Sequence, residues 1–212
     1  MSVSVTVLDY GIGNLLNVVR ALEHCGATTK VITSAAEAPA QSAYMVMPGV
    51  GAFGDGMAEI RARGFDHLVR QHAATGRPYL GICVGMQVMF DASEEMGEHQ
   101  GMGLIPGKVL AVPERGLDGQ KHRIPHIGWR ALEPVQTWSG TMLTGAQRGD
   151  RVYFVHSFAA VPQEPAITLA QVSYDGIPIC AAVRKDNLYG TQFHPERSGD
   201  VGLGMLAQFL QL

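Results

Sequence analysis

Cys83 and its neighbours form a segment suited to thiol chemistry. Residues 78–87, PYLGICVGMQ, are an apolar run that leads into Gly-x-Cys-x-Gly and then a helical pattern. This pattern is typical of a nucleophile elbow, in which a strained strand-to-helix turn exposes the reactive atom. The turn would place the sulfur at a helix N-terminus, which favours a thiolate, and would make the Val84 backbone N–H an oxyanion donor. A cysteine packed between two glycines is the competing interpretation, and the segment alone does not separate the two.

The base and the carboxylate that a thiol nucleophile needs occur together near the C-terminus. Residues 190–196, GTQFHPE, are typical of a strand that ends in His194 and is followed, across a proline, by Glu196. Side chains two residues apart in extended backbone point the same way, so Glu196 can orient the His194 ring. Alone, the pair is also typical of surface residues flanking a turn. Together with the elbow, it predicts a cysteine–histidine–glutamate triad.

A glycine-rich loop is a further candidate for oxyanion binding. Residues 44–54, YMVMPGVGAFG, are a predicted strand followed by a loop with three glycines. Such a loop can turn backbone N–H groups inward, so we expect a second oxyanion donor from Val50 or Gly51. Considered alone, the loop is more simply interpreted as a plain turn.

Other residues of reactive type lack the context for chemistry. Cys25 and Cys180 do not stand in a Gly-x-Cys-x-Gly pattern and are expected to be small buried hydrophobes. Three scattered cysteines do not make a disulfide framework or a metal site. The glycine pair at residues 11–13 fails as a dinucleotide-binding motif, because the third glycine would fall at Leu16. The histidines for which we expect no partner and no role are His24, His67, His72, His99 and His122.

The composition restricts the class of protein. The 212 residues are 46% hydrophobic and 17% charged, as in ordinary globular domains with a sizeable core. A net charge of -3 gives no positive field for a nucleic-acid backbone. Apolar runs are too short to cross a bilayer, and residues 1–14 resemble a strand more than a secretory signal. The cysteine usage favours a reducing compartment. We expect a cytoplasmic protein without a metal, a cofactor, a nucleic-acid partner or a membrane partner.

Hydrophobic patterning in the first half predicts strands that alternate with helices. The predicted strands are residues 3–8, 30–33, 44–47 and 78–82, and the predicted helices are residues 14 to about 24 and 56 to about 74. Asn14 is the expected N-cap of the first helix. Short apolar strands separated by helices indicate a parallel sheet that is covered on both faces.

The second half has shorter spacings between its predicted strands. These strands are residues 108–112, 152–155, 167–172, 179–183 and 188–192, and a final helix covers residues 201–212. Close spacing with Gly and Pro between strands predicts antiparallel additions at one side of the sheet. Since no repeat or linker is visible, we predict one α/β domain over residues 1–212, with a mostly parallel central sheet flanked by helices and a smaller antiparallel addition.

Together these segments resemble the class I, triad-type glutamine amidotransferases over essentially the whole chain. The Gly-x-Cys-x-Gly elbow and the His-Pro-Glu segment carry the resemblance. Four further stretches make the chain similar to the glutaminase subunits of imidazole glycerol phosphate synthases, which act in histidine biosynthesis. They are DYGIGNL at residues 9–15, PGVGAF at 48–53, PHIGW at 125–129 and YFVHS at 153–157.

The resemblance implies a role for each matching residue. Cys83 would attack the side-chain amide of glutamine, His194 would accept the thiol proton and later protonate the departing ammonia, and Glu196 would orient His194. The implied substrate contacts are Gly51, Gln87, Glu95, His156 and Ser157. The residues implied to face a partner are Asn14, His126, Trp129 and Arg197, and the last replaces the lysine usual in the family, which keeps the charge but not the shape.

The resemblance also implies a partner. A chain of this length has no room for an ammonia-consuming site beside the glutaminase fold. The expected partner is a (β/α)-barrel cyclase, which would make imidazole glycerol phosphate and an aminoimidazole carboxamide ribotide in a heterodimer. One alternative is a glutaminase subunit of another pathway, against which the four stretches argue. Another is a non-catalytic regulatory protein on the same fold, against which the complete triad argues.

Overall fold

The computed structural model describes residues 2–40 and 42–212, so Met1 and Gln41 lie outside the described residues. The strands are β1 (Val3–Leu8), β2 (Ala27–Ile32), β3 (Tyr44–Gly49), β4 (Tyr79–Cys83), β5 (Phe90–Ser93), β6 (His99–Gln100), β7 (Ile105–Ala111), β8 (His126–Ala131), β9 (Glu133–Pro134), β10 (Arg151–His156), β11 (Phe158–Pro162), β12 (Thr168–Tyr174), β13 (Ile177–Lys185) and β14 (Leu188–Thr191). The helices are α1 (Leu15–His24), α2 (Phe53–Ala62), α3 (Phe65–Ala74), α4 (Val84–Gln87) and α5 (Gly199–Phe209).

A parallel group of strands forms the greater part of the central sheet. Five strands are parallel, in the order β2-β1-β3-β4-β14. Every residue of β3 and β4 is buried, as is typical of strands covered on both faces. Because the carboxyl ends of parallel strands meet at one edge of a sheet, the segments that follow β3, β4 and β14 come together there. These are the three segments in which the sequence predicts chemistry.

The antiparallel addition is present at one side of this sheet. Strand β13 pairs antiparallel with β14, and β12 and β9 extend the sheet further. The prediction is confirmed for β12 and β13. For β14 it holds on one side only, because this strand pairs antiparallel with β13 and parallel with β4 and so also belongs to the parallel group. The prediction is wrong for β7 and β10, which lie outside this sheet: the remaining strands form a β10-β8 pair and a four-stranded sheet in the order β11-β7-β5-β6.

Some predicted elements differ from the observed ones. The helix predicted over residues 56–74 is divided into α2 and α3, because Gly64 has a φ of 73°, a left-handed conformation that interrupts a helix. Strands β5, β6, β8, β9 and β11 were not predicted. Two of them have only two residues, and such short strands depend on pairing rather than on local pattern. Asn14 stands at the N-cap position of α1, but its side chain makes no capping hydrogen bond.

A hydrophobic core runs along the central sheet and includes residues of β10 and α5. Helix α1 packs against β2 and α5, and α2 packs against α3. These contacts hold the parallel strands, and therefore their carboxyl ends, in a fixed relative position. Within residues 2–40 and 42–212, no helix has the length and apolar character needed to cross a membrane.

Candidate active site

The predicted elbow is present at the end of β4. Cys83 is the last residue of that strand and directly precedes α4. Its backbone has φ 55° and ψ -112°, a conformation that costs a non-glycine residue about 1–3 kcal/mol and persists only where the surroundings enforce it. The predicted contribution of a helix dipole is reduced, because α4 has only one turn.

Glycines allow three backbone segments to meet at the elbow. A Cβ on Gly81 would overlap the Gly85 carbonyl oxygen, and a Cβ on Gly85 would overlap the backbone of β3. A Cβ on Gly49 would overlap the Tyr10 hydroxyl and lie 2.9 Å from the Gly85 backbone nitrogen. The end of β3 is therefore in direct contact with α4, which places the glycine-rich loop beside the thiol.

The oxyanion candidates lie on both sides of this contact. The backbone N–H of Val84 is the first of α4 and has no partner within that helix. Of the two candidates for a second donor, Gly51 lines the same cavity as Cys83, and Val50 is the half-buried residue before it. The structure therefore offers Val84 and Gly51 as backbone groups around one small space.

The histidine and the carboxylate are paired. His194 Nδ1 lies 2.8 Å from Glu196 Oε1. A carboxylate only accepts, so Nδ1 carries the hydrogen and Nε2 is the free position of the ring. The pairing does not arise from extended backbone, as we expected, because residues 195–197 form a 3-10 turn. Ser198 Oγ holds this turn, since it donates to the His194 carbonyl and accepts from the Tyr153 backbone N–H.

The electrostatics of this pair favour a protonated histidine. Burial by itself lowers the pKa of His194, but Cys83 and Glu196 together outweigh burial and raise the pKa to about 10. The charged ring is the state that follows transfer of the thiol proton. His194 Nε2 has no hydrogen-bond partner of normal geometry, which leaves it open to accept that proton after a small movement.

A cavity of about 170 Å³ opens at Cys83. It is smaller than the roughly 300 Å³ at which pockets for drug-sized ligands begin, so it suits a small metabolite. Its lining is Gly51, Cys83, Val84, Gln87, Glu95, Pro125, Val155, His156, Ser157 and Phe158. All five residues that the resemblance implies as substrate contacts belong to this lining. Four larger clefts, of about 360, 450, 200 and 380 Å³, have no histidine in their linings, and of these four only the 200 Å³ cleft is lined by a cysteine, Cys180.

Two of the lining side chains are held by hydrogen bonds. Glu95 Oε2 accepts a hydrogen bond of 2.7 Å from the Phe53 backbone N–H at the start of α2. Gln87 Nε2 donates to the Phe158 carbonyl at 2.9 Å and to Gln192 Oε1 at 3.0 Å. Both amide hydrogens of Gln87 are engaged, so only its Oε1 remains for a ligand.

The structure does not place His126 on a partner surface. The side chain is 0% exposed and stacks on Tyr174 and Phe154, at ring-centroid distances of 4.0 and 5.2 Å. Its Nδ1 lies 3.0 Å from Nε2 of His156, a cavity residue. The expected direct contact with a partner is therefore corrected: the His126 ring supports the cavity wall from behind.

The other residues expected to face a partner are at the surface. Asn14 is exposed beside α1. Trp129 is 42% exposed, and its ring lies 6.1 Å from that of Tyr153. The exposed Arg197 places its guanidinium 4.5 Å from the Tyr153 ring centroid. Trp129, Tyr153 and Arg197 thus form one surface cluster next to the turn that carries Glu196.

Sequence reasoning missed two residues at the thiol. Gln192 is fully buried, and its Nε2 lies 3.6 Å from Cys83 Sγ. A signal was present, because Gln192 stands two residues before His194 and alternation in a strand puts both on one side. Tyr10 lies against Gly49, and burial, followed by the nearby Cys83, raises the pKa of its hydroxyl. No pattern around Tyr10 indicated that position.

Two histidines expected to lack partners have them. His72 Nε2 lies 3.0 Å from the Pro78 carbonyl, and His122 Nδ1 lies 3.0 Å from Asp175 Oδ2. Neither histidine belongs to the lining of the cavity at Cys83. In the part of the chain that the structure describes, no group of three or more His, Cys, Asp or Glu side chains is arranged to hold a metal ion.

The chain is similar to known proteins over almost its full length. Residues 6–211 match the family model described as glutamine amidotransferase class-I. The imidazole glycerol phosphate synthase subunit HisH 1 of Legionella pneumophila (strain Lens) is 47% identical over 212 residues, which cover 99% of each chain. The subunit HisH of Geobacillus thermodenitrificans is 42% identical over 204 residues, covering 96% of this chain and 93% of that one. PurLQS from Thermotoga maritima has the same fold, with a TM-score of 0.76 at 21% identity over 100% and 99% of the two chains.

Proposed function

The chain belongs to the class-I glutamine amidotransferase family and, within it, to the HisH subunits of imidazole glycerol phosphate synthase, and from this premise we propose that it hydrolyses glutamine to glutamate and ammonia through a thioester on Cys83. The observation that carries the proposal is the meeting of three segments at one sheet edge. There the strained Cys83 lines a small cavity and lies near enough to His194 to raise the pKa of its ring, and Glu196 pairs with the same ring.

The first half of the reaction forms the thioester. His194 Nε2 takes the Cys83 thiol proton, and the sulfur bonds to the side-chain amide carbon of glutamine. The backbone N–H groups of Val84 and Gly51 donate to the oxyanion that develops on the carbonyl oxygen. His194 then gives its proton to the amide nitrogen, the carbon–nitrogen bond breaks, and ammonia leaves.

The second half releases glutamate. His194 takes a proton from water as the water oxygen bonds to the thioester carbon, and the carbon–sulfur bond breaks. The sulfur leaves as a thiolate and regains a proton from His194. Glu196 remains ionised throughout, holds the hydrogen on Nδ1, and stabilises the imidazolium that forms twice in each cycle.

Substrate orientation follows from the charge of the cavity. Among its lining residues, Glu95 alone carries a charged side chain. We assign this carboxylate to the α-ammonium group of glutamine, since a buried or half-buried charge needs an opposite one. The free Oε1 of Gln87 and the residues His156 and Ser157 complete the contacts of the bound amino acid.

The ammonia requires a second protein. Residues 1–212 would act as the glutaminase domain of a cytoplasmic heterodimer with a (β/α)-barrel cyclase. That cyclase would use the ammonia to make imidazole glycerol phosphate and an aminoimidazole carboxamide ribotide. Two observations support this partner: the relatives are named as subunits of a synthase, and the apolar and cationic cluster of Trp129, Tyr153 and Arg197 is exposed beside the triad turn.

Replacement of the nucleophile tests the mechanism. We expect Cys83→Ala to abolish glutamine hydrolysis by the complex while synthesis from added ammonia by the cyclase continues, because only the thiol forms the thioester. Cys25→Ala is the matched control, since Cys25 is half-buried and does not line the cavity. Hydrolysis by Cys83→Ala at the parent rate would show that the proposed chemistry is wrong.

Co-purification from the native cell tests the partner. We expect recovery of a cyclase, and an increase in glutaminase turnover when this cyclase and its nucleotide ligand are added to the purified chain. Recovery of a different synthase, without a cyclase, would contradict the assignment to histidine biosynthesis and leave the hydrolysis mechanism standing.

A further inference from the structure

A chain of three hydrogen bonds ends on the reactive sulfur. Gln87 Nε2 donates to the Phe158 carbonyl at 2.9 Å and to Gln192 Oε1 at 3.0 Å. Gln192 Nε2 lies 3.6 Å from Cys83 Sγ, a normal separation for an N–H group that donates to sulfur. Gln87 and Gln192 are buried, with exposed fractions of 3% and 0%, so water does not compete for these bonds.

The chemistry of the first acceptor decides the orientation of both side chains. The Phe158 carbonyl can only accept, so the Gln87 atom that faces it must be the amide nitrogen. The second hydrogen of that nitrogen points at Gln192, so the Gln192 atom that faces it must be the carbonyl oxygen. The amino group of Gln192 is then turned toward the sulfur. The opposite orientation of Gln192 would set two buried N–H donors against each other and leave the hydrogens that face each other without an acceptor.

We propose that Gln192 is a catalytic residue that donates an N–H to the Cys83 sulfur and stabilises the thiolate. The inference rests on the proposed role of Cys83 as nucleophile. A donor binds an ionised acceptor more strongly than a neutral one, so the contact gains strength when the thiol gives its proton to His194. Gln87 is the positioning residue, because it holds the Gln192 amide in the donating orientation.

Gln192 differs from His194 in having no proton to lose. His194 gives up a proton in each half of the reaction, whereas the neutral Gln192 amide is a donor at every step. The sulfur is a thiolate twice in the cycle, when it attacks the amide carbon and when it leaves the thioester. Gln192 therefore supports both events, because the same N–H donor is present before and after ammonia leaves.

Alkylation of Cys83 by iodoacetamide, followed against pH in the complex with the cyclase, measures the thiolate directly. We expect Gln192→Met, which keeps the length but removes the donor, to move the midpoint of the alkylation profile upward by about one pH unit, a tenfold lower thiolate fraction. The variant Gln192→Glu places a negative charge beside the sulfur and should move the midpoint further. Gln87→Met frees Gln192 to turn and should give an intermediate shift.

The same variants separate catalysis from structure. We expect kcat for glutamine to fall roughly tenfold or more in Gln192→Met, with unchanged ammonia-dependent synthesis and a lowered midpoint of thermal unfolding, because one buried N–H of Gln87 loses its acceptor. An alkylation profile that superimposes on that of the parent would overturn the proposal, whatever happens to kcat. If Gln192→Met does not fold, the alkylation profile of Gln87→Met is the test. A Gln87→Met profile that superimposes on that of the parent also overturns the proposal. Failure of the proposed function appears differently, as hydrolysis that survives Cys83→Ala.

Discussion

Two buried pairs of side chains that contain histidine lie near the same cavity, and the histidine ring is charged in one pair and neutral in the other. In one pair His194 meets the Glu196 carboxylate at 2.8 Å, and in the other His126 meets His156 at 3.0 Å. Burial acts on all three histidines in the same direction, toward a lower pKa. Only His194 ends with a raised pKa, of about 10, because it faces a thiol and a carboxylate. The partner, and not the depth of burial, decides whether a buried ring is charged.

The neutral pair has a defined arrangement of hydrogens. Burial is the largest cause that lowers the pKa of His126 to about 3 and the pKa of His156 to about 4. His156 Nδ1 donates to the Phe158 carbonyl at 2.8 Å, so its Nε2 is an acceptor. His126 must then donate from Nδ1, which leaves its Nε2 as a buried acceptor without a partner. This pair has no proton to exchange near neutral pH.

The Phe158 carbonyl joins the two regions. It accepts from His156 at 2.8 Å and from Gln87 at 2.9 Å, which uses both of its lone pairs. One branch leads through Gln192 to the Cys83 sulfur, and the other leads to the ring of His126 behind the cavity wall. The charged pair can therefore move protons while the neutral pair keeps the wall in place.

The largest effect is expected from removing the carboxylate of the charged pair. Glu196→Gln should lower kcat for glutamine by about 10²–10⁴-fold with little change in KM, because the ring loses its orientation and the charge that stabilises the imidazolium. The raised pKa of His194 should fall toward its ordinary value, as measured by NMR titration of the ring. Glu94→Gln, on an exposed carboxylate, is the control. An unchanged kcat would show that a residue other than His194 is the general base.

A smaller effect is expected from removing the donor of the neutral pair. His126→Phe keeps a ring between Tyr174 and Phe154 but leaves His156 Nε2 as an unpaired buried acceptor. We expect the free energy of unfolding to fall by about 1–3 kcal/mol and KM for glutamine to rise several-fold, with kcat nearly unchanged. Urea denaturation and steady-state kinetics measure both, with His24→Phe at the exposed end of α1 as the control. A large loss of kcat would mean that this pair takes part in proton transfer.

A further difference is expected in the pH dependence of stability, where the two regions should act with opposite sign. Between about pH 6.5 and pH 4, His126 and His156 bind protons in the unfolded chain but stay neutral in the folded one. The free energy of unfolding therefore falls as the pH falls. Each histidine contributes a slope of up to about 1.4 kcal/mol per pH unit. For His194 the folded state holds the proton, so its contribution is complete below about pH 6.5 and is lost as the pH rises toward 10.

Urea denaturation of the parent and both variants over this pH range tests that difference. His126→Phe should lose less stability than the parent on acidification, by the contribution of one histidine. Glu196→Gln should lose less than the parent on the alkaline side. Equal acid slopes in the parent and His126→Phe would show that this ring is not held neutral by the fold.

Features that depend on neighbours along the chain could be predicted from the sequence. The elbow follows from glycines two residues on either side of Cys83, and the His194–Glu196 pair spans two residues. The parallel strands followed from apolar runs separated by helices. The division of the helix predicted over residues 56–74 was not predicted, since a glycine inside a helical pattern is compatible with continuation or with a left-handed turn.

The sequence alone determined which residue types carry the chemistry: a cysteine on a glycine-flanked turn, a histidine and a carboxylate across one proline, and, through resemblance, the lining of the cavity. Only the tertiary structure decided that β14 lies parallel beside β4, that Gln192 turns its amide to the sulfur, and that His126 is buried behind His156. The reason is physical, since turns form from interactions within a few residues, whereas hydrogen-bond orientation and burial depend on segments that meet only after the sheet has assembled.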